Sequence, residues 1–232
     1  MNAPSILRTR VLAFTAAVIV SVALGIACWK GYEALVNQPI RHVTFAGNTT
    51  VLARADLDAL AHAVEGATSI AAVRAAAKRV PWVREASVRR EYPDTVEIAF
   101  ETHDAVGRWG DRALVSSRGD IFAAPFAGAL PKFRGPDAAA KPMAAEFPGI
   151  VRSVAPLGAA VSELRVSPRG GWHLVLDSGL ELELGRGRGE IVPRIDRFVA
   201  AWPKLAAAGV ETRYVDLRHA NGFAVRLANV KK

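Results

Sequence analysis

Cysteine is almost absent from this sequence, which has a single one, Cys28, among 232 residues. One cysteine excludes a disulfide framework, a cysteine-rich zinc site and a CxxC redox motif. The five histidines show no HExxH or similar metal spacing, and the chain has no GxSxG nucleophile elbow. We therefore expect no catalytic residues, no metal and no cofactor, and we predict that the protein is not an enzyme.

Long runs of one charge are also missing. The 30 Lys and Arg residues exceed the 22 Asp and Glu residues, giving a net charge of +8, but no basic run is longer than two. Dispersed charge is typical of a solvated surface and argues against nucleic acid as a partner. A basic patch that faces an anionic polymer or lipid stays open as an alternative. Hydrophobic residues make up 51% of the chain, which excludes a disordered protein.

The one long uncharged stretch covers residues 11–29. As a helix it is about 28 Å long, close to the thickness of the bilayer core. Arg8 and Arg10 precede it, whereas Lys30 is soon offset by Glu33. The positive-inside rule therefore predicts a cytoplasmic tail, residues 1–10, a transmembrane helix, residues 11–29, and an exported remainder.

Processing of the apolar stretch is the alternative to a retained anchor, and it could take two forms. A cleaved signal peptide usually has a shorter apolar region, although residues 23–25 and 25–27 form passable small-residue cleavage triplets. Lipoprotein processing at Cys28 fits poorly because Gly25 stands where a leucine is expected. A retained anchor is the prediction.

The first exported segment, residues 40–104, has the pattern of a small α+β domain. Predicted strands are 40–45, 86–90 and 95–101, and predicted helices are 54–64 and 69–80. Pro81 stops the second helix, and Tyr92-Pro93-Asp94 turns the chain between the last two strands. A chain of this length can fold as a sheet with helices on one face.

From residue 105 onward the predicted elements are mostly short strands. They cover residues 106–109, 113–117, 163–166, 172–176, 180–184, 214–219 and 223–227. Residues 191–208 have helical spacing, and Asn221-Gly222 is a strong hairpin signal between the last two strands. The proline- and alanine-containing stretch 133–146 is predicted to be a surface excursion.

Two motifs suggest chemistry, but a structural role accounts for each of them more simply. The run GRGRGE at 185–190 lies between a strand and a helix, as a phosphate-binding loop would. Its sixth position is Glu190 and the preceding strand alternates, so we predict a tight turn and no nucleotide site. Glu181 and Glu183 share one strand face, which indicates a solvated face rather than an acid-base pair.

Four segments resemble the FtsQ/DivIB family of bacterial cell division proteins. They are VPWVREASVRREYPDTVEIAFETHDAVGRW at 80–109, LVSSRGDIF at 114–122, LPKFRGPD at 130–137 and YVDLRHANGFAVRL at 214–227. The resemblance implies an α+β protein with a single N-terminal transmembrane helix, a POTRA domain (βααββ) at 40–104 and a mainly antiparallel β-domain at 105–232. The β-domain is expected to contain a C-terminal helix and a final hairpin.

The resemblance also implies a divisome scaffold at the division septum, in the cell inner membrane, with a cytoplasmic N-terminus and periplasmic domains. Its implied partners are FtsB and FtsL, with further divisome proteins possible, and its role is to link early and late division proteins and control septal peptidoglycan synthesis. No small-molecule substrate is expected. The implied binding mode is the addition of a partner strand to an open sheet edge. The positions implied to bind FtsB are Tyr214, Asp216, Arg218, His219, Asn221, Gly222, Phe223, Ala224, Val225, Arg226 and Leu227.

The final strand is predicted to be this edge. Its side chains alternate, with Phe223, Val225 and Leu227 on one face and Ala224 and Arg226 on the other. Shielding of the edge by residues 228–232 is the alternative. His219 and Leu227 occupy positions that are often aromatic in the family, and His103 and Asp104 replace a frequent proline.

Two rival functions stay open. The first is a peptidoglycan-binding or peptidoglycan-processing protein, which would need a cleft lined by tryptophans and carboxylates. Trp82, Trp109, Trp172 and Trp202 lie within apolar patterns, so we expect core packing instead. The second is an outer-membrane assembly factor, but no series of barrel strands follows the POTRA-like segment.

Overall fold

The computed structural model describes residues 3–36, 38–187, 189–208, 212–219 and 222–227. The chain divides into two compact units, Met1–Thr102 and His103–Lys232. The first unit holds a long N-terminal helix and a three-stranded sheet, and the second holds a nine-stranded sheet. The predicted α+β class is confirmed.

The N-terminal helix α1 covers Ala3–Val36. Its segment Phe14–Glu33 is long and apolar enough to cross a membrane, with a mean hydropathy of 1.7 and none of it buried inside the protein. Trp29 and Tyr32 are exposed near the end of this segment, where aromatic rings favour a membrane interface. The helix therefore has the length and composition of a single-pass anchor, and it overlaps the predicted span.

The small sheet and its helices follow in the predicted order βααββ. The elements are β1 His42–Gly47, α2 Arg54–Val64, α3 Ile70–Ala77, β2 Val83–Glu91 and β3 Thr95–Thr102. The strand order is β1-β3-β2, with β1 parallel and β2 antiparallel to β3. Val73 and Ala77 of α3 and Val96 and Ile98 of β3 are fully buried in this unit's core.

Helix α3 is shorter than the predicted 69–80. Ser69 caps its start by accepting a hydrogen bond from the Ala72 backbone N–H, and Lys78 is its C-cap residue. Beyond the helix the chain turns sharply, because Trp82 has a φ angle of 71°. This turn directs the chain into β2. The helix has already ended before Pro81, because the Arg79 and Val80 N–H groups donate to carbonyls three residues back, in tight turns.

The second unit is a mixed sheet with two long helices. Its strands are β4 Ala105–Trp109, β5 Ala113–Ser116, β6 Ile121–Phe122, β7 Lys132–Arg134, β8 Val161–Val166, β9 Trp172–Leu176, β10 Glu181–Gly185, β11 Thr212–Asp216 and β12 Ala224–Leu227. The helices are α4 Ala140–Val154 and α5 Ile191–Ala207. The strand order is β12-β11-β10-β9-β8-β7-β4-β5-β6. Strand β7 is parallel to both neighbours and β10 is parallel to β11, whereas the other pairs are antiparallel.

One face of this sheet packs against both helices. Met143 and Ile150 of α4 and Ile195 and Phe198 of α5 are fully buried in one cluster with alternate strand residues such as Leu182. Because strand side chains alternate, the residues between them, such as Glu181, point to the opposite face. The sheet therefore has an apolar helix-covered face and a polar outer face.

The predicted surface excursion at 133–146 is wrong. Phe133 lies in β7 and is completely buried, and α4 begins at Ala140. Pro142 falls in the first turn of α4, where a backbone N–H has no intrahelical partner, so this proline does not prevent the helix. Gly107 makes room for the Phe133 ring, since a Cβ at Gly107 would lie 2.6 Å from it. The segment is therefore part of the core.

Candidate partner-binding edge

Strand β12 is the outermost strand of the nine-stranded sheet. Among the residues that the structure describes it pairs with β11 alone, in an antiparallel register that sets Ala224 opposite Asp216 and Val225 opposite Val215. Within the described residues its other side is unpaired, as predicted, and we call this side the open edge. Asn221 and residues 228–232 lie outside the described residues.

The described side chains of residues 223–226 alternate between two faces as predicted, whereas the Leu227 side chain lies outside the described residues. Phe223 and Val225 pack against the core, and the Phe223 ring meets the Phe198 ring edge-on with centroids 5.4 Å apart. Ala224 and Arg226 are exposed on the outer face. A strand added at the open edge would therefore have an apolar neighbour on one face and a cationic neighbour on the other.

Contacts from β11 hold β12 in register. The Arg226 guanidinium lies over the Tyr214 ring, 4.7 Å from its centroid. The Thr212 hydroxyl donates to the Arg226 carbonyl at 3.0 Å. Burial, reinforced by the nearby carboxylates of Asp216 and Glu183, raises the pKa of Tyr214. The phenol is thus neutral beneath the cation, with its ring face available for the cation–π contact.

Strand β11 ends at Asp216, before the predicted end at 219. The reason is a local turn, in which the Asp216 carboxylate accepts a hydrogen bond from the Arg218 backbone N–H at 3.0 Å. The same carboxylate accepts bonds from the Arg218 guanidinium, the shortest from Nη2 at 2.6 Å. Asp216 is only 8% exposed, and these bonds from Arg218 hold its pKa below the usual value. Asp216 therefore positions the Arg218 side chain.

Close to Arg218 lies a cavity that no sequence motif indicated. Its volume is about 450 Å³. Gly185 leaves room for Arg218, since a Cβ there would lie 2.8 Å from the Arg218 Cγ. The lining includes four arginines and one carboxylate, so it favours an anionic group: Ser167, Arg169, Gly171, Glu183, Gly185, Arg186, Arg194 and Arg218. The signal in the sequence is arginine beside glycine, at 169–171 and 185–187, but only the fold brings these segments together.

The described residues of the GRGRGE segment, 185–187 and 189–190, turn the chain between β10 and α5, as predicted. Gly185, Gly187 and Gly189 all have positive φ angles, of 74°, 111° and 75°. Arg194 ties α5 to this turn, because its Nη1 donates to the carbonyls of Leu184 at 2.6 Å and Arg186 at 2.7 Å. The glycines therefore serve a sharp change of chain direction.

The remaining candidate residues lie on the surface or in the core. Glu181 is exposed on the outer face, with its carboxylate 3.4 Å from the His173 ring. Trp82, Trp109 and Trp172 are buried, and Trp202 packs against the core, as predicted. His219 and Gly222 are exposed. Among the described residues, no group of three or more His, Cys, Asp or Glu side chains is placed to hold a metal ion.

Comparison with known proteins gives the family. A family model described as "Cell division protein FtsQ/DivIB, C-terminal" matches residues 107–218, and one described as "POTRA domain, FtsQ-type" matches residues 38–101. The chain is 32% identical over 197 residues to the cell division protein FtsQ of Neisseria meningitidis serogroup B, covering 82% of this chain and 83% of that protein. The chain belongs to the FtsQ/DivIB family.

Further family members are similar over different lengths. The cell division protein FtsQ of Burkholderia pseudomallei is 39% identical over 164 residues, which cover 68% of this chain and 66% of that protein. That of Xanthomonas campestris pv. campestris is 30% identical over 225 residues, covering 93% and 80%. The family predicted from the four segments is confirmed. In this FtsQ/DivIB member the C-terminal family match ends at Arg218, so β12 lies beyond it.

Proposed function

We propose that this protein is a division scaffold that binds FtsB and FtsL by β-strand addition. Helix α1 anchors it in the cytoplasmic membrane at the septum, with the N-terminus in the cytoplasm and both folded units in the periplasm. It links early and late division proteins and controls septal peptidoglycan synthesis without catalysing a reaction itself. Family membership and the apolar helix Phe14–Glu33 support this proposal.

The observation that carries the binding mode is the unpaired side of β12. An open edge presents a row of N–H and C=O groups that a partner strand can pair with. These backbone bonds supply affinity, whereas alternate side chains supply specificity. We propose that residues 214–227 form the binding region, with FtsB supplying the added strand.

Charge favours an acidic partner strand. Arg226 is exposed on β12, and Arg218, two residues beyond the end of β11, lines the cavity together with three further arginines. Carboxylates of a partner would form charge-assisted hydrogen bonds with these guanidinium groups and would accelerate encounter. Some of the protein's excess basic residues would thus attract and bind the acidic partner strand.

The experiment compares two substitutions at one position whose backbone N–H faces the open edge. The Arg226 carbonyl accepts a hydrogen bond from Thr212 of β11, so the backbone groups of Arg226 and Ala224 face β11 and the N–H of Val225 faces the open edge. The full chain carrying Val225→Pro is produced in membranes with tagged FtsB and FtsL, beside wild type and Val225→Ala. Proline removes the N–H and its ring crowds an added strand, whereas alanine keeps the N–H. We expect Val225→Pro to accumulate but to lose copurification with FtsB, and Val225→Ala to retain it.

A normal yield of FtsB with Val225→Pro would contradict strand addition at β12. Protease resistance of the variant shows whether β12 still pairs with β11. If resistance is lost, Leu227→Pro provides the second variant, because the N–H groups of residues 225 and 227 point to the same side of the strand. Normal FtsB copurification with a resistant variant of either kind would overturn the proposal.

A further inference from the structure

A small cavity lies between α5 and the chain that leads into β12. Its volume is about 170 Å³, and it is lined by Arg194, Arg197, Leu217, Gly222 and Phe223. Leu217 is 2% exposed, and Phe223 packs against the core. The cavity therefore has an apolar floor and a cationic rim. An apolar protein cavity of about 150 Å³ accommodates a benzene molecule, so this space suits one side chain.

The two arginines of the rim differ in whether their guanidinium groups already have partners within the protein. Arg194 is held by the carbonyls of Leu184 and Arg186, and its Nη2 pairs with the Glu190 carboxylate at 3.1 Å. Arg197 follows on the same side of α5 and is exposed. Within the described residues, Arg197 has no acidic side chain at ion-pair distance. The rim thus offers one cation that a partner can neutralise.

We infer that this cavity receives one acidic side chain, of the glutamate type, from the strand added at the open edge. The inference rests on the proposed strand addition. Phe223 and Val225 lie on the helix-covered face. A side chain directly opposite on an added strand lies about 5 Å away on the same face.

The lining of the cavity suits both the aliphatic stem and the carboxylate of a glutamate side chain. The aliphatic stem contacts the apolar side chains of Leu217 and Phe223, and the carboxylate pairs with the Arg197 guanidinium. A slip of one residue in the added strand would turn every side chain to the other face and leave the cavity empty. The cavity therefore selects the register of the partner strand, while backbone pairing supplies general affinity.

The test is a charge exchange across the interface. Full-length Arg197→Glu is purified in detergent, and its dissociation constant for FtsB is measured beside wild type. We expect binding to weaken by about tenfold or more, because two carboxylates then face each other. Arg152→Glu is the matched control, an exposed arginine on helix α4, and it should bind like wild type.

Partner variants complete the exchange. Each acidic residue in the FtsB segment that pairs with β12 is replaced in turn by lysine. One of these variants should weaken binding to wild type and restore binding to Arg197→Glu. Wild-type affinity of Arg197→Glu, or the failure of every lysine variant to restore binding, would overturn the inference. Val225→Pro measured in parallel separates the two proposals, because undiminished binding there would refute strand addition itself.

Discussion

At the residue scale, the pairing of Asp216 with Arg218 shows where sequence reasoning stops. The YVDLR segment placed both residues in the candidate site, but a strand continuing to 219 would not have let the Asp216 carboxylate accept a hydrogen bond from the Arg218 backbone N–H. The structure ends β11 at Asp216, and Arg218 bends back onto its carboxylate. That turn needs the space left by Gly185 on the neighbouring strand, which no local pattern reveals.

The lowered pKa of Asp216 gives a prediction about stability and pH. Its folded pKa lies below the unfolded value, so the ionised carboxylate stabilises the fold above the unfolded pKa. This stabilisation is lost as pH falls through the folded pKa. We expect Asp216→Asn to lower the free energy of unfolding by about 1–2 kcal/mol at pH 7. The difference in free energy of unfolding between the variant and wild type should become smaller below pH 4.

Chemical denaturation of the full chain in detergent at several pH values measures this difference in free energy of unfolding. Asp196→Asn is the control, because Asp196 is exposed on α5. If the difference in stability between Asp216→Asn and wild type did not change with pH, the Asp216 charge would not stabilise the fold. Charge reversal at Arg218 is a less specific test of partner binding, since it would also place a second carboxylate against Asp216.

At the element scale, the sequence predicted most strands and two amphipathic helices of the folded units well, but it missed helix α4 and the short strands β6 and β7. Helix α2 has the predicted bounds 54–64, strand β9 has the predicted bounds 172–176, and α5 ends one residue before the predicted 208. Helix α4 was missed because prolines at 136 and 142 suggest a broken chain. The fold accommodates Pro142 in the first turn, and burial of Met143 and Ile150 stabilises the helix.

Adjacent residues of α4 provide a test of its core role. Ile150 is completely buried, whereas Val151 is 41% exposed. We expect Ile150→Ala to destabilise the protein by about 2–5 kcal/mol, because it leaves a cavity in the core. Val151→Ala should change the stability by about 0.5 kcal/mol or less. Thermal or urea unfolding measures both variants, and equal effects would contradict the assignment of α4 to the core.

At the scale of the whole molecule, the sequence could indicate three consecutive parts but not the long-range strand pairing. Hydropathy predicted the anchor, and periodicity predicted the βααββ unit. Parallel pairing of β7 with β4 and β8 joins residues far apart in the chain, so no local signal could give it. We propose boundaries of 40–104 for the POTRA domain and 105–232 for the β-domain. The family-model matches at 38–101 and 107–218 support this division.

The central claim is that FtsB pairs with β12, and site-specific photo-cross-linking in dividing cells tests it most directly. A photoreactive amino acid replaces Ala224 or Arg226, which are exposed on β12, or Arg152 as a control on α4. We predict a covalent adduct with FtsB from positions 224 and 226 and none from 152. Adducts with FtsB from 152 alone, or none from the two positions on β12 in cells that divide normally, would contradict the claim.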